Sequence, residues 1–138
     1  MEPIIRVENI SRLYHVGGRA VPALQDVSLT AVAGQVVALR GRSGSGKTTL
    51  LNCIGGLDRP TTGRIWVGGD EVTQLAEARL VQLRRQQIGF VFQSHALLPT
   101  YSARENVDLM LRLASLSRQA RLARTEQVLR LVGLGKWM

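Results

Sequence analysis

Eight consecutive residues, Gly41, Arg42, Ser43, Gly44, Ser45, Gly46, Lys47 and Thr48, satisfy the spacing G-x-x-x-x-G-K-[ST] without a mismatch, and Thr49 follows directly. A phosphate chain carries several negative charges and needs many donors close together. Backbone N–H groups supply them only where the chain wraps tightly around the anion. Gly41, Gly44 and Gly46 permit the positive φ and the close approach that such wrapping demands. Lys47 has the reach for the β- and γ-phosphates of a nucleotide, and the Thr48 hydroxyl suits a magnesium ion. Residues 41–49 are therefore the candidate phosphate-binding loop, with ATP and Mg2+ as the expected cofactors.

Such a loop works only between a strand and a helix whose positive dipole end faces the anion. The run Val36–Arg40 is short, continuous and apolar, which predicts a strand buried on both faces. After the loop, TLLNCIGGL carries apolar residues at helical spacing. Upstream, two strands are predicted, near Ile4–Leu13 and over Ala23–Val32, separated by a turn at His15–Arg19 and closed by a turn at Ala33–Gly34. Downstream, a strand is expected around Ile65–Val67 with a Gly68–Gly69 turn, then a helix from about Leu75 to Gln86. The apolar run Ile88–Phe92 reads as a second buried strand. Ser102 and Glu105 stand in capping-box spacing before a helix, and a further helix covers about Arg118–Val132 with Gly133 placed to end it. Strands first and helices after indicate an α/β nucleotide-binding core with a helical appendage.

Composition narrows the alternatives. The 138 residues are 45% hydrophobic and 4% aromatic, enough for one core built mainly from aliphatic side chains. No stretch approaches the roughly 18 consecutive apolar residues of a membrane span, and MEPIIRVENI lacks a secretory pattern, so a cytoplasmic chain is expected, for which any membrane contact must be peripheral. Cys53 is the single cysteine, which excludes an internal disulfide and reads as a small buried hydrophobe. The net charge of +8 rests almost entirely on arginine, only Lys47 and Lys136 being lysines. These arginines are spread along the chain rather than gathered in a patch, so no nucleic-acid partner is expected. His15 and His95 are assigned no role.

On these motifs the chain resembles, from end to end, the ATP-binding subunits of ABC transporters, and most closely the bacterial branch serving macrolide export and lipoprotein release. RLYHVGGRAVPALQDVSL, GRSGSGKTTLLNCIGGLDRPTTGRIWVGG, IGFVFQ and HALLPTYSARENV carry the resemblance. It implies an ABC-type P-loop fold over residues 1–138, with an antiparallel β subdomain and P-loop core to about residue 93. A docking segment and the start of a helical subdomain follow over about 94–138. It further implies that Tyr14 stacks on adenine, and that Gln93 contacts magnesium and the attacking water. The segment of about His95–Val107 would dock on a transmembrane permease subunit at the inner face of the plasma membrane, with a second ATPase subunit in the complete assembly. Leu97, Leu98 and Pro99 could equally be tucked into the core, although an exposed docking patch is favoured.

The family's LSGGQ signature, its strand-ending Asp-Glu pair and its switch histidine do not occur in these 138 residues, and the acids present lie outside any strand-ending pair. Hydrolysis requires a positioned base and metal ligands, so ATP binding without hydrolysis is expected of this chain alone. The strand at Val36–Arg40 is expected to lack a neighbour and to leave backbone groups unpaired. The other readings are a non-transport relative acting on DNA and a truncated, inactive product.

Overall fold

The computed structural model describes residues 2–94 and 97–137. Its contacts divide the chain into two units, Met1–Gly89 and Phe90–Met138.

The first unit begins with a long hairpin, β1 (Pro3–Val16) against β2 (Arg19–Val32). Gly17 (φ 56) and Gly18 (φ 77) form its two-residue loop, where both positions need positive φ so that the turn matches the strand twist. The pairing therefore runs beyond the expected end of the first strand, and His15 and Val16 still face Ala20 and Arg19. β3 (Thr62–Val67) pairs antiparallel with β1, and β4 (Asp70–Glu71) with β3, giving the order β2-β1-β3-β4. The helices of this unit are α1 (Lys47–Ile54) and α2 (Glu77–Gln87), the latter preceded by a 3-10 turn at Val72–Gln74.

Val7 and Ile10 are both buried, although an odd spacing puts strand residues on opposite faces. A bulge resolves the conflict. Asn9 (φ 48) takes up one extra residue between them, and Asp26 (φ 48) lies in a second irregularity on β2, between Leu24 and Val27. Side chains hold the irregular backbone: Asn9 Nδ2 donates to Asp26 Oδ1 (2.8 Å), the Asn9 N–H to Ser28 Oγ (2.8 Å), and the Asp26 N–H to Ser11 Oγ (3.0 Å). Both apolar residues then join Leu24, Leu50, Cys53, Ile65, Val67, Val72, Leu80 and Leu83 in one core.

Two expectations fail here. Neither Val36–Arg40 nor Ile88–Phe92 forms a strand, and neither belongs to the sheet. Val36 is 95% exposed and Val91 fully exposed, so these are not residues buried on both faces. A continuous apolar run becomes a strand only where neighbours satisfy its N–H and C=O groups. Among the described residues neither run has one. Leu39 and Ile88 alone lean on the core. Beside them, Ile4, Leu29, Val37, Leu39, Leu51 and Ile54 line an open apolar groove of about 370 Å³.

The second unit is a helical hairpin of α3 (Ala103–Leu113) and α4 (Arg118–Leu131). The capping box forms at Ser102: Ser102 Oγ accepts the Glu105 N–H (3.2 Å) and Glu105 Oε2 accepts the Ser102 N–H (2.8 Å). Asp108 joins the two helices, accepting from Arg112 Nε (2.8 Å) on its own helix and Arg121 Nε (2.9 Å) on the other. At the far end Gly133 (φ 77) donates to Arg130 O (3.0 Å) and Leu134 N–H to Leu129 O (2.8 Å), the two bonds of a Schellman stop. Among the described residues no helix is long and apolar enough to cross a membrane.

Candidate nucleotide-phosphate site

The loop lies between Arg40 and α1, and the helix begins inside the motif, at Lys47. The first N–H to enter the helical ladder is that of Leu50, donating to Gly46 O (2.8 Å). Among the described residues, the N–H groups of Gly46, Lys47, Thr48 and Thr49 have no protein acceptor. These are the orphan donors of a helix start, gathered at the positive end of its dipole. No side chain caps them.

The glycines are needed for different reasons. Gly44 (φ 78) has open space around its Cα, so only its backbone angle demands glycine. Gly46 (φ 87) needs both, because a Cβ there would collide with Ala23 O and lie 2.9 Å from Leu24 Cδ2. β2 thus forms the back wall of the loop. Gly41 does not adopt positive φ, contrary to expectation; its constraint is close approach, with Ser45 Oγ 2.6 Å from where a Cβ would stand.

Lys47 curls into the loop and its ammonium donates to Gly41 O (2.9 Å), Arg42 O (2.8 Å) and Ser45 Oγ (3.1 Å). Among the described residues no carboxylate pairs with this cation, and its three partners are neutral oxygens. An arriving phosphate is a stronger partner than any of them. Thr48 is exposed and Thr49 half-buried. The donor set therefore fits a polyphosphate: four free N–H groups, a cation held by neutral oxygens and, among the described residues, no competing acid. For magnesium the loop offers the Thr48 hydroxyl, and no cluster of His, Cys, Asp or Glu suited to a metal occurs among the described residues. The fit is to a metal carried largely by nucleotide phosphates rather than to a protein-built metal centre.

Tyr14 lies near the end of β1, half-buried, its hydroxyl donating to Asp58 Oδ2 (2.6 Å). Arg12 donates to the same carboxylate through Nη2 (2.7 Å to Oδ1) and Nε (3.0 Å to Oδ2), and its guanidinium sits 4.5 Å from the centre of the Tyr14 ring. Burial by itself would raise the Asp58 carboxyl. The bonds from Tyr14, the Arg59 N–H and Arg12, with the charge of Arg12, outweigh it and hold the group below the usual carboxylate range. Burial likewise works against the Arg12 charge, and Tyr14 and Asp58 overcome it. Arg12 is visible in the sequence as a residue two places from Tyr14 on one strand, hence on its face; nothing local singles out Asp58.

Cys53 is fully buried, and burial pushes its thiol up to about 11, with the Asp58 charge adding to the effect. It is a packing residue. The adjacent acids Asp70 and Glu71 make up β4 itself; Glu71 accepts from Thr73 and Gln74, and Asp70 faces Arg79 at 3.6 Å.

Gln93 belongs to the second unit and is exposed, and the strand expected to deliver it is absent. Of the docking segment, His95 and Ala96 lie outside the described residues. Leu97 (62%) and Leu98 (42%) are exposed rather than tucked away. Their loop is fastened by Asn106, which sequence reasoning missed: its Oδ1 accepts the Leu98 N–H (2.9 Å), and its Nδ2 donates to Leu98 O, Tyr101 O and Ser102 O.

A glycine-rich loop wrapped ahead of a helix start, backed by a β-hairpin, defines a P-loop nucleotide-binding protein of the α/β class. Residues 24–138 match the family described as ABC transporter, and the chain belongs to that family. It is 42% identical over 135 residues to an uncharacterized ABC transporter ATP-binding protein of Thermotoga maritima, covering 98% of this chain and 58% of the relative. It is 44% identical over 135 residues to the macrolide export ATP-binding/permease protein MacB of Agrobacterium fabrum, spanning 98% of this chain and 21% of that one. The lipoprotein-releasing system ATP-binding protein LolD of Chromohalobacter salexigens is 42% identical over 133 residues, with 96% and 56% covered. Among solved structures, the ATP-binding cassette MJ0796, a dimer bound to ADP and Pi in a post-hydrolysis state, superposes with a TM-score of 0.84. Its identity is 36%, over 91% of this chain and 56% of that one. The chain thus spans 56–58% of the length of the Thermotoga protein, LolD and the cassette, and 21% of that of MacB.

Proposed function

We propose that this chain binds Mg-ATP through residues 41–49 as the nucleotide-binding portion of a membrane exporter. The observation that carries the reading is the pairing of four unengaged N–H groups with an ammonium held only by neutral loop oxygens. On binding, Lys47 exchanges Gly41 O, Arg42 O and Ser45 Oγ for the β- and γ-phosphates. The N–H groups of Gly46–Thr49 receive the phosphate oxygens. The Thr48 hydroxyl would help to hold the magnesium ion, and Tyr14 would offer its ring to the base. Magnesium would supply charge neutralisation between the phosphates.

We assign binding rather than hydrolysis to these residues. Hydrolysis needs a base to take a proton from water, and none of the loop's hydrogen bonds goes to a carboxylate. Gln93 is the residue we assign to the metal and the attacking water in the complete protein. The relatives extend well beyond the matched stretch, and we read the apolar groove and the runs at Val36–Arg40 and Ile88–Phe92 as surfaces that this further length covers. Export is supported by MacB and LolD, named for macrolide export and lipoprotein release. The exposed loop at Leu97–Pro99 is the surface we assign to a permease partner, and the inner face of the membrane is the location we propose for the complex. The dimeric cassette supports a second ATPase subunit.

The test is equilibrium titration of the chain with Mg-ATP. Saturable binding, accompanied by a rise in melting temperature through ligand linkage, is expected; no binding at millimolar nucleotide would overturn the assignment.

A further inference from the structure

Tyr14 is not a freely rotating ring. Its hydroxyl ends on Asp58 Oδ2 (2.6 Å), and Arg12 grips both oxygens of that carboxylate while its guanidinium lies over one face of the ring at 4.5 Å. Hydroxyl and ring face are thus fixed by two residues that also bind each other, leaving the tyrosine little freedom in either χ angle. Among the described residues no other aromatic or cationic group stacks on the ring, and the residue is only half-buried.

Asp58 is itself anchored. Its Oδ1 also accepts the Arg59 N–H (2.8 Å), and its own N–H and that of Leu57 both reach Asn52 O (3.2 and 2.8 Å), inside α1. α1 is the helix that starts at Lys47 and presents the orphan N–H groups. The carboxylate therefore ties a ring on β1 to the helix that holds the phosphate loop.

We propose that Arg12 and Asp58 are positioning residues for the nucleotide base: together they clamp Tyr14 at one angle and register it to the phosphate-binding helix. The proposal rests on the reading of Tyr14 as the base platform. A pre-set ring spares the ordering of a rotamer-rich side chain on binding, so loss of the clamp should weaken ATP by about two- to tenfold. Loss of the ring itself should weaken it by roughly five- to a hundredfold, the range of one base–aromatic stack.

The experiment compares dissociation constants for Mg-ATP and for Mg-tripolyphosphate, which lacks base and sugar, on the full chain and on Tyr14→Ala, Tyr14→Phe, Asp58→Ala and Asp58→Ala/Tyr14→Ala. The expected result is that Asp58→Ala and Tyr14→Phe weaken ATP but leave tripolyphosphate unchanged, and that Asp58→Ala adds nothing once Tyr14 is alanine. Equal losses for both ligands would make Asp58 a general structural residue and overturn the proposal. So would an Asp58→Ala protein that binds ATP normally while Tyr14→Ala does not. If Tyr14→Ala itself binds ATP like the parent, the platform reading fails and the clamp falls with it. Should Asp58→Ala not fold, Tyr14→Phe removes the hydroxyl end of the clamp alone, and its ATP-to-tripolyphosphate split decides in the same terms.

Discussion

An alanine at position 46 meets two separate obstacles, and their sum can be set against a control in the same loop. The backbone at Gly46 has φ 87, and placing an L-residue in the left-handed region costs about 1–2 kcal/mol. The new Cβ would also overlap Ala23 O and press on Leu24 Cδ2 at 2.9 Å. Neither neighbour yields easily, since Ala23 O belongs to the backbone of β2 and Leu24 is 5% exposed within the core. Forcing a methyl into such a site typically costs a further 1–3 kcal/mol, roughly. The total for Gly46→Ala is therefore roughly 2–5 kcal/mol, a large share of the 5–15 kcal/mol or so of a whole domain. Gly44→Ala carries only the first cost, because its φ of 78 is not accompanied by any atom within 4 Å of the added Cβ. Urea denaturation of the parent and both variants measures the difference. With an m-value of about 1–3 kcal/mol per molar, Gly46→Ala should lower the midpoint by on the order of 1 M or more, and Gly44→Ala by distinctly less. Equal shifts for the two variants would refute the inference that β2 forms the back wall of the loop.

Further outcomes follow from the same structure. The folded Asp58 carboxyl titrates below its unfolded value, so the unfolded state binds more protons as pH falls. The stability it contributes is complete above the unfolded value and disappears as pH drops through the folded one. The loss as pH falls below the ordinary carboxylate value of about 4 should be smaller in Asp58→Asn, and identical acid melting curves would contradict this. Ser102→Ala removes the cap of α3, and should cost about 1 kcal/mol and speed amide exchange in its first turn, with unchanged exchange counting against the cap. Cys53 should resist a thiol reagent at neutral pH in the folded chain and react promptly in urea, because burial keeps it protonated and inaccessible. Prompt reaction without denaturant would show that the core around α1 opens.

Features that depend on neighbours in sequence were legible. The Gly17–Gly18 hairpin, the Ser102–Glu105 box and the Gly133 stop are written in a few adjacent residues and form where expected. The runs at Val36–Arg40 and Ile88–Phe92 were read as strands because continuous apolar sequence suits a doubly buried position. Whether it becomes one depends on hydrogen-bonding neighbours far away in the chain, which periodicity cannot report. The bulge at Asn9 was hidden for a related reason: it places Val7 and Ile10 on one face, and their spacing alone says they should face apart.

The site divides in the same way. The loop and its lysine are a local motif with a physical reason for each residue, although Gly41 turned out to be constrained by Ser45 rather than by its φ. The wall at Ala23 and the carboxylate at Asp58 were not legible, because Asp58 lies 44 residues from the tyrosine it holds. Tertiary packing chooses such partners, and only the folded chain displays them.

We assign the phosphates of ATP to Lys47 and the free N–H groups of its helix. Titration of the parent chain and Lys47→Ala with Mg-ATP, each checked for an unchanged melting temperature without ligand, tests this assignment most directly. Losing a charge-assisted contact worth about 1.5–3 kcal/mol should weaken binding by roughly ten- to a hundredfold. Equal affinities for the two proteins would contradict the account, because nucleotide would then be held somewhere other than this loop.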